Sequence, residues 1–294
     1  PVVYYVCPQF WAWRQGRVRL LRKYVDKALV IFPFEEKFYR ERGVDASFVG
    51  HPLADLPRPE IGRAAYATEH QLDAAKPWIT LMPGSRVKEV RMNLPAILES
   101  AARLGPAFEF LLPVAPTLDR SFLQSLIGQS VIQQSAIRQS SIRPSMIADN
   151  PEIRLVPETL PALAQSRAGI VASGTATVEA AMMGTPFVMV YRVSPLTYAV
   201  GRPRVKVPYF AMVNLIAGEE VVPELVQQDF TAENVVARLN EILVEGPARK
   251  KMITGLEGVK ARLGGPAGEG RHPVDRAAKA VMSVWEAAGV SKSR

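Results

Sequence analysis

Apolar residues in this chain recur in two rhythms. Short β-branched or aromatic runs stand at residues 2–6, 28–32, 46–50, 78–82, 108–114, 153–156, 168–172 and 187–191. Runs of this length predict strands, the first of them short and buried. Between them, apolar residues three or four apart predict helices. A basic helix follows Phe10-Trp11-Ala12-Trp13 and carries Arg14, Arg17, Arg19, Arg22, Lys23 and Lys27 against one acid, Asp26. Others run from Glu35 to Arg42 (ended by Gly43), from about Leu94 to Leu104, and from Ala176 to Met183 with Gly184 as its cap. Strands alternating with helices through short glycine-containing turns predict an α/β fold with doubly wound parallel sheets.

The aperiodic, proline-rich stretch 53–60 reads as a linker. Residues 1–57 and 58–246 are therefore expected to form two units, followed by a mostly helical tail over 247–294 that the glycine-rich run 264–270 interrupts. Residues 125–147 are rich in Ser, Gln and Ile at a spacing that fits neither period. They are expected to form an irregular or loosely helical surface insertion.

Composition narrows the class. With 294 residues, 48% hydrophobic and 22% charged, the chain can bury a full core, and disordered, collagen-like and coiled-coil readings are excluded. One cysteine, Cys7, excludes an internal disulfide and a multi-cysteine zinc site and fits a reducing compartment; it is expected to be a small core residue. Three scattered histidines, His51, His70 and His272, do not suggest a metal cage. A net charge of +8 favours an anionic ligand or surface without choosing among nucleic acid, phosphate and lipid. No recognised nucleic-acid motif is present, so nucleic acid is not an expected partner. The opening residues show no signal-peptide pattern and no initiator methionine, and a preceding N-terminal portion is expected. The longest apolar stretch, 168–191, contains Glu179, Ser173 and several Thr and Gly, which favours strand–loop–helix–strand over a membrane span.

Two strand-end turns are the candidate chemistry. In Pro83-Gly84-Ser85-Arg86, Gly84 permits a tight turn, Ser85 offers a hydroxyl and Arg86 a fork for phosphate oxygens. The competing reading is an ordinary βα turn with solvent-facing basic residues. In Ser173-Gly174-Thr175-Ala176, Ser173 or Thr175 is expected to cap the next helix, leaving amides open to a pyrophosphate. Glu179, one turn after Thr175, is placed to accept hydrogen bonds from a ribose diol; the competing reading is an ordinary capped helix. Two phosphate-type turns ending parallel strands of one domain match where doubly wound folds bind ligands. A third region, Arg192 to Gly218, combines Arg192, Arg202, Arg204 and Lys206 with many apolar residues and no acid. It suits an anionic amphiphile or membrane surface, or equally a core segment with solvated basic edges. His51, in Gly50-His51-Pro52 at the expected hinge, is a weaker ligand candidate.

These motifs resemble the lipid-A-disaccharide synthase family. The resemblance rests on Tyr5-Val6-Cys7-Pro8-Gln9-Phe10-Trp11-Ala12-Trp13-Arg14, Phe32-Pro33-Phe34-Glu35-Glu36-Lys37-Phe38-Tyr39, Val49-Gly50-His51-Pro52-Leu53-Ala54-Asp55, Leu81-Met82-Pro83-Gly84-Ser85-Arg86, Ala172-Ser173-Gly174-Thr175-Ala176, Tyr191-Arg192 and Asn214-Leu215-Ile216-Ala217-Gly218. It implies a GT-B fold of two Rossmann-like domains, the N-terminal one incomplete, and transfer of diacylglucosamine from UDP to 2,3-diacylglucosamine 1-phosphate. It further implies inversion, release of UDP, no cofactor and no metal. Arg86, as the catalytic residue, and the amides near Ser173–Ala176 would hold the diphosphate. Gly84, Ser85, Glu179, Tyr191, Asn214 and His51 complete the implied substrate site. The implied surroundings are the cytoplasmic face of a Gram-negative inner membrane, bound peripherally, with a homodimer as a further partner class. The family's Gly-Glu-Ala-Ser-Gly-Asp motif, with its general-base aspartate, has no counterpart here. A fragment that binds UDP-sugar without turnover is therefore one alternative; another is a GT-B relative such as a UDP-N-acetylglucosamine 2-epimerase or a peptidoglycan glycosyltransferase.

Overall fold

The computed structural model describes residues 1–140, 151–205, 207–265 and 272–289. The first unit opens with β1 (Val3–Tyr5), α1 (Phe10–Trp13) and, after a 3-10 turn at Gln15–Arg17, α2 (Val18–Tyr24). It continues through β2 (Lys27–Val30), α3 (Pro33–Arg40) and β3 (Ala46–Phe48). The three strands pair in parallel in the order β1-β2-β3. β1 is an edge strand with Tyr4 and Tyr5 exposed, not the buried strand its apolar residues predict, because it has one neighbour and only β2 is closed on both sides. The basic helix is likewise shorter than expected: helical geometry breaks at residues 14–17, around Gly16. Cys7 is buried against Val18, Leu21, Val30 and Tyr39, as a small core residue.

A 3-10 turn, Pro52–Asp55, leads to the second unit. Its elements are α4 (Arg63–His70), β4 (Trp78–Met82), α5 (Val87–Leu104), β5 (Glu109–Pro113), α6 (Arg120–Ser140), β6 (Ile153–Val156), α7 (Thr159–Gln165), β7 (Ala168–Ala172), α8 (Thr175–Met183), β8 (Phe187–Tyr191), α9 (Pro195–Gly201), α10 (Met212–Ala217), β9 (Glu224–Val226), α11 (Ala232–Leu243) and α12 (Pro247–Leu263). Six parallel strands run in the order β6-β5-β4-β7-β8-β9. Strands β4, β5, β7 and β8 are almost wholly buried, which explains their unbroken apolar runs. Of the two readings of the Ser/Gln-rich stretch, irregular or loosely helical, the structure has the helical one from 125 to 140, as part of α6. Residues 141–147 lie outside the described residues, as do Lys206 and the glycines at 266–270.

Helix α5 starts at Val87, seven residues before the expected Leu94, and Pro95 lies inside it. Its first turn (Val87, Lys88, Glu89) is mostly solvent-facing, so the apolar period that marks a helix starts only further along. The tail divides between the units. Helix α12 buries Met252, Leu256, Val259 and Leu263 in the core of the six-stranded unit. The final helix, α13 (Pro273–Ala287), returns to the first unit: Ala277 packs with Leu29 and Val49, and Arg276 Nε donates to the Val49 carbonyl at 2.8 Å. No helix among the described residues is long and apolar enough to cross a membrane.

Candidate nucleotide-sugar site

Strand order decides where the two turns lie. From β4 the chain moves outward through β5 to β6, then crosses back to place β7 on the other side of β4. β4 and β7 are hydrogen-bonded parallel neighbours, with Met82 opposite Val171. Adjacent strands sit about 4.8 Å apart. The turns 83–86 and 173–175 therefore leave the same sheet end side by side, at the point where strand order reverses; ligands bind open α/β sheets at such points.

Each turn depends on one glycine. Gly84 has φ +123°, and a Cβ there would come within 2.8 Å of the Glu89 side chain. Gly174 has φ +140° with nothing within 4 Å of a would-be Cβ, so its backbone faces open space. The first turn is held by Asn93 Nδ2, which donates to the Pro83 carbonyl at 2.9 Å, and by Thr117 Oγ1, which donates to the Ser85 carbonyl at 2.5 Å. Sequence reasoning missed both; Asn93 lies seven residues after Arg86, two turns along the same helix side, which was the available signal.

Arg86 is the N-cap residue of α5 and lies exposed, its guanidinium 2.6 Å from Glu89 Oε1. The charge of Glu89 reaches Tyr191 at the end of β8 and, after the larger effect of burial, pushes that phenol's pKa up. Tyr191 ends β8, the parallel neighbour of β7, and so lies at the same end of the sheet as the two turns. At the second turn neither Ser173 nor Thr175 caps α8 as expected. Gly174 is the N-cap, without a side-chain cap bond, and Thr175 is the first helical residue. Ser173 Oγ instead donates to the Phe210 carbonyl at 2.8 Å. The capping failure leaves the first amides of α8 without side-chain competitors. Glu179 is half-buried, and burial pushes its carboxyl pKa up.

Two other candidates are placed differently. Asn214 is fully buried, and its amide is wholly engaged. Nδ2 donates to the Val222 carbonyl at 2.9 Å and to Glu224 Oε1 at 2.8 Å, while Oδ1 accepts from the amides of Val221 and Val222. Glu224 in turn accepts from the amides of Phe210 and Ala211. Asn214 fixes the loop on which Ser173 leans, so any part it takes in closing the pocket runs through that loop. His51 is also buried, tilted against Phe32, with Nδ1 accepting from the Leu53 amide at 3.1 Å and its own amide donating to the Leu263 carbonyl at 2.9 Å. Burial pulls its pKa down to about 4, so the ring is neutral near pH 7. It pins the 3-10 turn to the end of α12. No three His, Cys, Asp or Glu side chains converge as a metal set among the described residues.

A family model described as lipid-A-disaccharide synthetase matches residues 1–264. The chain belongs to the lipid-A-disaccharide synthase family. That family is one of glycosyltransferases of lipid A biosynthesis. The lipid-A-disaccharide synthase of Koribacter versatilis (strain Ellin345) is 50% identical over 285 residues, covering 97% of this chain and 70% of that relative. Its counterpart from Acidobacterium capsulatum is 48% identical over 269 residues, covering 90% of this chain and 65% of the relative. The chain thus spans about two thirds of the length of such relatives. Among solved structures, a glycosyltransferase from Rickettsia africae ESF-5 superposes with a TM-score of 0.53 at 10% identity, covering 99% of this chain and 71% of that one. The fold is GT-B, as the family resemblance implies.

Proposed function

We propose that this chain carries the UDP-sugar half of an inverting transferase that joins UDP-2,3-diacylglucosamine to 2,3-diacylglucosamine 1-phosphate. The juxtaposition of the turns after β4 and β7 carries the reading. Exposed Arg86 exchanges its partly exposed carboxylate partner Glu89 for a diphosphate oxygen, which the weakness of surface ion pairs makes inexpensive. The amides opening α8 and the positive end of its dipole face the same diphosphate, and Glu179 accepts from the ribose hydroxyls. When the acceptor's 6-hydroxyl attacks the anomeric carbon, the carbon–oxygen bond to UDP breaks. The charge that develops on the departing diphosphate then falls on Arg86 and these amides. The acceptor proton passes to a general base for which this sequence offers no candidate motif.

The whole enzyme is proposed to work at the cytoplasmic leaflet of a Gram-negative inner membrane. Exposed Leu196 and Val200, followed by Arg202, support contact with anionic, acylated substrate there. The test is calorimetric titration of the chain with UDP, followed by an assay for UDP released from donor plus acceptor. Absence of UDP binding sinks the reading. Binding without release favours the alternative of a chain that binds UDP-sugar and does not turn it over.

A further inference from the structure

One cavity on the six-stranded unit is not used by the diphosphate site. It has a volume of about 590 Å³, within the range of small-molecule sites, and lies where α5, α9 and the loops after β8 and β9 meet. Its apolar wall is Met92, Val193, Pro195, Tyr198 and Val226. Two of the polar groups in the wall, Arg192 and Gln227, already have partners. The Arg192 guanidinium donates to the Phe230 carbonyl and lies over the Phe230 ring, 4.6 Å from its centre. The Gln227 side-chain amide is clamped to the backbone of Val193, accepting at 2.8 Å and donating at 3.1 Å. Gln228 and Asp229 stand exposed at the mouth. With Arg192 and Gln227 engaged, the inner wall offers an apolar ligand methyl groups, a thioether and an aromatic ring.

The cavity adjoins the nucleotide turns. Met92 follows Glu89 by three residues and so lies one turn along α5 on the same side. Tyr191, which feels the charge of Glu89, immediately precedes Arg192. A group attached to a sugar held beside Arg86 is therefore within reach of the opening. We infer that this cavity is a subsite for one acyl chain of the acylated sugar nucleotide. The inference rests on the nucleotide reading above and adds to it the place where chain length is sensed.

The test compares the affinity of the chain for UDP, for UDP-glucosamine carrying two acetyl groups, and for the same compound carrying two hexanoyl groups. The hexanoyl donor is expected to bind about tenfold or more tightly than the acetyl one, because each methylene entering the cavity leaves water. Met92→Trp, which fills the cavity, and Tyr198→Asp, which puts a charge in its wall, should each remove that preference and leave UDP affinity unchanged. Equal affinity for the two acylated donors, or a preference that survives both substitutions, overturns the subsite while UDP binding stands. Failure of UDP itself to bind overturns the nucleotide site and the subsite together.

Discussion

The turns after β4 and β7 and the knot around Asn214 lie on neighbouring parts of one unit, and both carry family motifs. They differ in what their polar atoms are doing. At the turns, the exposed Arg86 side chain is paired with Glu89, the Gly174 backbone faces open space, and α8 starts without a side-chain cap. At the knot, each polar atom of the Asn214 side chain is matched with a backbone group or with Glu224. A motif residue with open valences can bind a ligand. One with none can only position those that do.

The largest effect is expected at the knot. Asn214→Ala leaves the amides of Val221 and Val222 without their buried acceptor and takes one donor each from the Val222 carbonyl and from Glu224, and should cost about 3–5 kcal/mol of unfolding free energy in urea titrations. UDP affinity per folded molecule should change far less than stability. A stable Asn214→Ala protein that has lost UDP binding would erase the distinction and return Asn214 to the ligand.

Arg86→Ala is the converse. UDP affinity should fall by about 1.5–3 kcal/mol, the range for a charge-assisted contact, measured by calorimetry. Stability should move by less than about 1 kcal/mol, since only the exposed pair with Glu89 is lost. An unchanged affinity would remove Arg86 from the site.

His51 stands with the knot in this comparison, and pH exposes it. Its folded pKa is lowered to about 4, so the neutral ring stabilises the fold fully above the ordinary value near 6.5. That stabilisation is lost as pH falls from about 6.5 toward 4, because the unfolded chain takes up the proton first. Unfolding curves across this window should therefore fall more steeply for the native chain than for His51→Asn, which keeps a cap acceptor but does not titrate. Parallel curves would show that His51 is not buried as a neutral cap.

Much of this was legible in sequence because it depends on local chemistry. Gly84 and Gly174 follow strands, and a strand, a glycine and a helix start already define a backbone turn open to a phosphate. The rest depends on partners distant in the chain. Nothing near Asn214 announces that Glu224 will take its amide. Nor does the amphipathic pattern of 273–287 reveal that Arg276 bonds Val49, 227 positions away. Helix α5 hides its start because the turn that carries Arg86 and Glu89 must stay polar to meet solvent and ligand. The expected caps at Ser173 and Thr175 failed for a related reason: the Ser173 hydroxyl reaches a carbonyl 37 residues on, on the loop that the knot fixes.

Ser173 therefore sits between the two classes and should give the smallest effect. Its hydroxyl bond to Phe210 is a side-chain link from the open turn to the closed knot. Ser173→Ala removes that single, partly exposed bond, worth about 1 kcal/mol in an unfolding titration. If the knot does no more than steady the turn, UDP affinity should weaken by a similar or smaller amount, and Ser173→Thr, which restores a hydroxyl, should recover both. A loss in binding as large as that of Arg86→Ala would mean that the hydroxyl itself touches the ligand, and the line between open and closed motif residues would move to include it.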